Sequence, residues 1–556
     1  MSHSAHLLFN ICIMKYFFIL FIFLSPTLYA QEMIIDWDEC FGGENYWSIA
    51  NAIDVLPNGS IVTSITISEN NEAYTNYHGD ADEWVLILDS SGNIIENRCF
   101  GGGGEDVFQD IEVYNDYIYF IGYTQSTDGD VQSEPIGGYV DLWVVKTDFA
   151  LNIIWERRYG CLGTQQFESA EVTEDGGLVL LMDFFSSGGG DVSEYYGNTD
   201  IWVCKIDTDG EIVWEKTLGN AWGTFAGNVL PLADGKTIVL GEMDIWGDMV
   251  ECQGHNDNGT RDIWIVSLDE TGEILWQKCY GGSDWEIAGD IIEDDEGYTF
   301  IGFTQSNDGD VSFNHGETND ETADLWLVHI DNTGNLLWEK SFGGTDDEFG
   351  KQLFKTINNG YILFGVTNSN DGDVNHSNCP DNAPYTCQLN TWVIELDSNR
   401  NIIWNKTYGS GLNNSSHEKN AVKRIGERDF MIAGSIRETD NHTGDVDCEP
   451  YPINSGKSAW IYRLYEPDTT NLSGLPYLSL KTYPNPANNR LLLDLPLHND
   501  EIEIKIVDIF GNSIKHLTAI PNQTKVKWDC QNVAKGVYFY SAEIGGLYFK
   551  GKIFIQ

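Results

Sequence analysis

The chain has 556 residues, with 86 Asp and Glu against 31 Lys and Arg, a formal net charge of −55. A surface this acidic repels phosphate backbones and anionic headgroups, which argues against nucleic acid and acidic membrane surfaces as partners. A hydrophobic fraction of 42%, with 18 Trp, argues equally against a disordered chain.

The N-terminus reads as an export leader. Lys15 precedes the apolar run Tyr16–Leu24, and Ser25–Ala30 ends on a small residue, the three-part pattern of a secretory signal. Residues 1–30 are expected to be removed, with Met14 as the true start. The apolar run is too short to span a membrane. Export permits disulfides. Cys379 and Cys387 flank a short polar segment and are the expected pair, whereas Cys40, Cys99 and Cys279 occupy equivalent repeat positions and are expected to be buried thiols.

Residues 31–465 repeat. The unit is built around Asp-x-Trp, a run of apolar residues, an Asp-x-x-Gly turn and a second Trp. The first Trp falls at 84, 143, 202, 264, 326, 392 and 460, giving spacings of 59, 59, 62, 62, 66 and 68 residues and seven units. A long fixed period signals a solenoid or propeller. One unit reads Glu286–Glu293, Tyr298–Thr304, Asp324–Ile330 and Leu336–Phe342. Branched and aromatic residues bounded by Asn/Asp/Gly turns predict four strands, which is one propeller blade.

The second-Trp positions (Trp37, Asn97, Trp155, Trp214, Trp276, Trp338 and Trp404) also number seven but are offset by one. The unit around Trp460 has no fourth strand of its own, and Met33–Gly43 supplies it. The expected fold is therefore all-β. It is a seven-bladed β-propeller with four strands per blade, closed by the N-terminal strand, followed by a small C-terminal β-sandwich. Closure would remove the exposed sheet edges.

Inside the repeat, the paired Trp are expected to pack between blades, where aromatics contribute most buried area. Asp-Gly-Asp recurs in the loop between second and third strands as Asp128/Asp130, Asp308/Asp310 and Asp371/Asp373. Carboxylates two apart can ligate a hard cation, and calcium is the cofactor this pattern admits. The alternative is a turn in which Asp accepts backbone N–H groups. His78, His255, His315 and His376 lie in corresponding loops, which the topology could gather on one face. No carboxylate pair and no His with a nucleophile stands out as catalytic. Ser267–Trp276 also resembles the repeat of quinoprotein-type propellers, but the adjacent cysteine pair used by many of those enzymes does not occur here.

Residues 466–477 read as a Pro/Thr/Ser/Gly linker. Alternation over 478–556 predicts a β-sandwich of about seven strands. In order come Tyr483-Pro484-Asn485-Pro486-Ala, Asp508-x-x-Gly511, Gly536-Val-Tyr538 and a final strand with Lys550 and Lys552. These motifs resemble the type A C-terminal sorting domain of the type IX secretion system of Bacteroidetes. The resemblance implies passage across the outer membrane by that machinery, removal of the sorting domain, and a product that is secreted or held at the outer cell surface. Residues 475–556 carry nine Lys/Arg against seven Asp/Glu, so the acidic excess belongs to the repeats. For the repeats the expectation is a noncatalytic module that binds a glycan or protein ligand. The alternative is a hydrolase or lyase acting on polysaccharide.

Overall fold

The computed structural model describes residues 33–42, 48–68, 76–185, 188–244, 260–316, 322–374, 390–409, 421–437, 445, 448, 457–466 and most of 477–555. The leader, Cys379 and Cys387 lie outside the described residues. The chain divides into two compact units, Met1–Glu466 and Pro467–Gln556.

The larger unit is all-β among its described residues, a succession of four-stranded antiparallel sheets consistent with a β-propeller. Six sheets are consecutive in sequence, spanning 49–100, 106–159, 164–218, 224–280, 286–342 and 348–408. In the fifth, Glu286–Asp294, Gly297–Thr304, Asp324–Asp331 and Leu336–Phe342 pair in chain order. A seventh sheet holds Val422–Gly426, Asp429–Arg437 and Lys457–Tyr465, and its fourth strand is Ile34–Phe41 from the other end of the unit. That pairing runs from Ile34 opposite Tyr465 to Phe41 opposite Ala459.

Each sheet covers the next. One core cluster joins Val62 and Val85 of the first sheet to Phe108, Phe120 and Trp143 of the second. Another joins Phe364 and Val393 of the sixth to Phe430 and Trp460 of the seventh, and a third returns from Met431, Ala433 and Ile461 to Ala50 and Ile65 of the first. Third strands are consequently buried along both faces, as in Asp82–Leu88 and Asn390–Leu396. Fourth strands are half-exposed.

The repeated Trp pack as the sequence implies. Trp143, Trp202, Trp326, Trp392 and Trp460 are fully buried. Their indole N–H groups donate to the fourth strand of the same sheet, to Glu156 (3.0 Å), Glu215 (2.8 Å), Glu339 (2.8 Å), Asn405 (3.1 Å) and Asp38 (2.9 Å). The second Trp reach the next sheet: Trp37 donates to the Ser90 carbonyl and Trp155 to that of Thr208, both at 3.1 Å. The register corrects one assignment. The residue opposite Ile87, where Trp155 stands opposite Lys146, is Glu96 and not Asn97. Asn97 instead accepts the Trp84 indole proton at 3.1 Å.

First strands are stitched by side chains. A register break interrupts each of six of them at the same place, for example between Phe108 and Asp110 and between Ala288 and Asp290, and polar side chains of neighbouring first strands take the freed backbone protons. Asp54 Oδ2 accepts from the Val113 amide (2.9 Å), and Asp290 Oδ2 accepts from Leu353 (3.1 Å). Lys423 Nζ lies 3.0 Å from Asp54 Oδ1. Burial alone would lower its pKa, but Glu112, Asp54 and Glu171 around it hold it well above the ordinary lysine value. The ammonium is thus the internal counter-charge of that acidic cluster.

The expected set of buried thiols is corrected. Cys99 is a buried thiol, but Cys40 forms a disulfide with Cys448, and Cys279 is also disulfide-bonded. Repeat equivalence concealed this, because Cys448 lies in a loop outside the repeated pattern.

The smaller unit has a five-stranded sheet, with Ile502–Asp508, Gly536–Ile544 and Leu547–Ile555 at its centre, and a three-stranded one containing Arg490–Asp494 and Lys525–Asp529. Among the described residues eight strands stand where about seven were expected. Leu491, Leu493, Ile504, Trp528, Tyr540 and Ile553 form the core.

The Cys40–Cys448 bridge spans a sequence separation of 408 residues and fastens the Ile34–Phe41 strand to its sheet. Removing it with the double change Cys40→Ser/Cys448→Ser should cost about 2–5 kcal/mol of unfolding free energy. A denaturant titration that superimposes on wild type would show that the hydrogen-bonded pairing suffices alone.

Candidate functional site

The Asp-Gly-Asp loops tie one connection to another. Asp128 Oδ1 accepts the Gly103 amide at 2.6 Å, Asp308 Oδ1 that of Ser283 at 2.8 Å, and Asp371 Oδ1 that of Thr345 at 2.9 Å. The second Asp of each motif donates its backbone N–H to Gly101, Gly281 or Gly343, each at 2.8 Å. Their side chains differ. Asp130 pairs with Arg98 at 2.6 Å, Asp310 accepts weakly from the Gly281 amide at 3.3 Å, and Asp373 lies 3.5 Å from His315 Nε2. The motif is therefore a turn, closed by the amide of Val131, Val311 or Val374 on the carbonyl of its first Asp, that also clasps the preceding Gly-containing connection. Among the described residues no three His, Cys, Asp or Glu side chains group as a metal centre requires.

Behind each clasp lies a buried carboxyl pair. Asp262 begins one third strand, Glu286 the next first strand, and Gly281 sits between them. A Cβ on Gly281 would stand 2.4 Å from Glu286 Oε2 and 2.9 Å from Asp262 Oδ1, so glycine is required there by space. Asp82 with Asp106 and Asp324 with Glu348 repeat the arrangement around Gly101 and Gly343. Glu286 accepts from the Thr304 hydroxyl (2.6 Å) and the Gly282 amide (3.0 Å). Both oxygens of Asp262 are buried without a hydrogen-bond partner. Burial, then the charges of Glu286 and Asp310, push Asp262 up to about 8. Burial raises Glu286 and Glu348 to about 7 and Asp82 to about 6. Of the four loop histidines, His78 and His315 are described, and each contacts the Asp that opens its own third strand, Asp82 at 3.3 Å and Asp324 at 2.6 Å. The structure does not bring these two histidines together into one site.

At the other end of the strands, beside hairpin turns of one recurring form, a single position of the third strand changes from repeat to repeat. The third-strand residue facing the second Trp, or the residue in its place, is Ile87, Lys146, Lys205, Ser267, His329, Glu395 or Arg463. Around His329, between the fifth and sixth sheets, lies a cavity of about 170 Å³ lined by Asp294, Asp295, Glu296, His329, Trp338, Lys355, Asn359, Tyr361, Ser398 and Arg400. The imidazole stacks on Trp338 with centroids 5.3 Å apart, and its Nδ1 is 2.9 Å from the Thr299 hydroxyl. The hydroxyls of Tyr361 (2.5 Å) and Thr299 (2.8 Å) donate to Asp294, which also pairs with Lys355. Burial opposes ionisation of Asp294, but Lys355 and Tyr361 outweigh it and bring the carboxyl down to about 2. Burial pushes His329 below its ordinary value and Tyr361 above its own. At neutral pH the cavity presents a fixed carboxylate, a fixed ammonium, a neutral imidazole and a neutral phenol.

Arg400 completes this wall from an unusual backbone. The turns between third and fourth strands place Gly92, Gly210, Gly272 and Gly334 at φ of 80–84°, whereas Arg400 occupies the corresponding position at φ 65° and Leu151 does so at φ 58°. A side chain there costs roughly 1–2 kcal/mol relative to glycine. Its guanidinium lies 4.7 Å from the Trp338 ring centroid, a contact that returns about 0.5–1 kcal/mol. Sequence reading missed His329, Tyr361, Lys355 and Arg400. Aligning the units for the positions that vary, and not for those that repeat, would have found His329 and Arg400.

In the smaller unit, Tyr538 is buried and its hydroxyl donates to the Ala534 carbonyl at 2.7 Å, which gives Gly536-Val-Tyr538 a structural role. Tyr483, Asp508, Lys550 and Lys552 lie on strands. Pro484, Asn485, Pro486 and Gly511 are outside the described residues.

Residues 481–556 match the family described as the secretion system C-terminal sorting domain. This match supports export by a secretion system to the cell surface or the medium. No curated protein matches the chain. Among solved structures, it is similar to a PL25 ulvan lyase (11% identity, covering 73% of this chain and 96% of the other, TM-score 0.41). It is also similar to a DUF4221 family member from Bacteroides vulgatus (8%, 78% and 97%, TM-score 0.30) and to a putative 6-phosphogluconolactonase from Bacteroides fragilis (10%, 66% and 85%, TM-score 0.32). Among the described residues no helix is long and apolar enough to cross a membrane.

The raised carboxyls predict how stability follows pH. Asp262, Glu286, Glu348 and Asp82 bind protons more tightly in the folded unit than in an unfolded chain. Their stabilising contribution is complete below about pH 4 and is lost as pH rises through about 6 to 8. The melting temperature of the larger unit should fall between pH 5 and pH 9, and Asp262→Asn should flatten the decline. An unchanged slope in the variant would remove Asp262 from this account.

Proposed function

We propose that the protein is cargo of the type IX secretion system, whose C-terminal domain acts as a type A sorting signal, with domain limits of 1–30, 31–465, 466–477 and 478–556. The sorting-domain match over 481–556 carries this reading. We take the seven four-stranded sheets as blades of one closed propeller, a noncatalytic ligand-binding body presented outside the cell. Two observations favour binding over catalysis. Opposite the second Trp, present in six of the seven sheets, the third-strand residue changes from Lys146 and Lys205 to Ser267, His329, Glu395 and Arg463. In the His329 cavity, Asp294 and Tyr361 titrate well away from neutrality and each is held by a fixed partner, whereas a general acid or base works best with a pKa near the operating pH.

Calcium at Asp128/Asp130, Asp308/Asp310 and Asp371/Asp373 is a separate proposal. The described carboxylates already hold backbone amides, Arg98 or His315 and do not form a three-residue group, so they fit a calcium centre poorly. A fall in melting temperature on chelation, restored by calcium, would support it; identical melting curves would remove it.

Fusing residues 475–556 to an exported reporter should carry the reporter to the surface or medium of a host with the type IX machinery, and not of the same host with that machinery deleted. Periplasmic retention in the competent host would overturn the sorting role.

A further inference from the structure

Among the described arginine side chains of the larger unit, Arg400 is the exception. In a chain with 86 carboxylates, Arg98, Arg157, Arg158, Arg261, Arg424, Arg428 and Arg463 each form an ion pair with Asp or Glu. Arg400 has a described side chain and no carboxylate partner, only the face of Trp338. It stands where four equivalent turns use glycine and adopts the left-handed backbone that glycine favours. At two of those junctions the second Trp packs directly on that glycine, carbons of Trp214 and Trp276 lying 2.8 Å from a Cβ placed on Gly272 or Gly334, whereas Gly210 meets Arg157 and Tyr159. Folding therefore does not need an arginine here. Its guanidinium is held over an indole, beside a neutral imidazole, at the edge of a cavity.

Resting on the ligand-binding reading, we propose that this cavity is the subsite for one acidic sugar of a glycan. Arg400 binds its carboxylate or sulfate oxygens, and Asn359, Ser398 and Glu296 at the rim meet its hydroxyls. A guanidinium is a planar fork of donors that matches an oxyanion in a bidentate way. Lys355, placed between Asp294 and Asp295 (2.8 Å to the latter), offsets one of their two negative charges, so the guanidinium of Arg400 is the cation left to meet the anion. The volume of about 170 Å³ lies below that of sites that enclose drug-sized ligands, as suits a pocket taking one unit of a longer chain. A duplex nucleic acid, the other abundant polyanion, would have to approach the acidic surface over a far wider area.

The test uses the full chain and calorimetric titration with three probes: polygalacturonate oligosaccharides, sulfated galactan oligosaccharides and neutral cello-oligosaccharides. Binding of the first identifies a carboxylate source, binding of the second a sulfate source, and either supports the proposal if added salt weakens it. Arg400→Gly restores the residue that the equivalent turns use, so it should fold with an equal or higher melting temperature while losing at least tenfold in affinity. Arg400→Lys should retain part of that affinity. Acidic-sugar binding that is unchanged in Arg400→Gly, or binding of the neutral probe alone, would overturn this subsite and leave the ligand-binding reading intact. Absence of binding to all three glycans would overturn the subsite as well, and in that case a screen of protein ligands decides the broader reading.

Discussion

The structure depends on one pairing, that of Ile34–Phe41 with Lys457–Tyr465. Each four-stranded sheet is apolar on both faces and cannot stand in water alone; its neighbours on either side must cover it. A row of such sheets always ends in two uncovered faces unless the last meets the first. Taking a fourth strand from the start of the chain brings the seventh sheet against the first and joins the two ends of the unit through main-chain hydrogen bonds. The Cys40–Cys448 disulfide adds a covalent lock at the same seam. The buried third strands follow from the clusters that successive sheets share, the seventh with the first included.

The two ends of the strands divide the work. At one end a glycine follows the fourth strand of every sheet, and in three units an Asp-Gly-Asp clasp and a buried carboxyl pair surround it, while the loops between second and third strands differ in length. Those carboxyls are tolerated without full hydrogen bonding since, at their raised pKa, several carry a proton and no charge. At the other end the hairpin turns between third and fourth strands keep one form, and the strand residue beside them that faces the second Trp changes from Lys146 to Glu395 and Arg463.

Much of this was legible in sequence. The Trp spacing marked the sheets, and the unpaired unit at Trp460 indicated where the first strand goes. Period-2 alternation and turn residues placed Leu336–Phe342 to the residue. The C-terminal domain was legible because its motifs stand in order along the chain and match a family over 481–556. The Asn97 assignment failed because Trp was followed as a label, when the shared feature is position in the ladder. The Cys40–Cys448 bridge was hidden because its second half lies in an unrepeated loop, and loop closure over so long a separation leaves no local trace.

Sequence by itself determined the periodicity, the strands, the strand borrowed across the unit and the C-terminal sorting motifs, all of which depend on short-range patterns of apolar, turn and charged residues. Only the tertiary structure decided what the repeated and unrepeated polar residues do. Whether Asp128 serves a metal or an amide, whether Asp262 carries a proton, and whether Arg400 has a partner depend on burial and on groups brought from neighbouring sheets. Those distances are set by packing between elements, to which no local pattern in the chain corresponds.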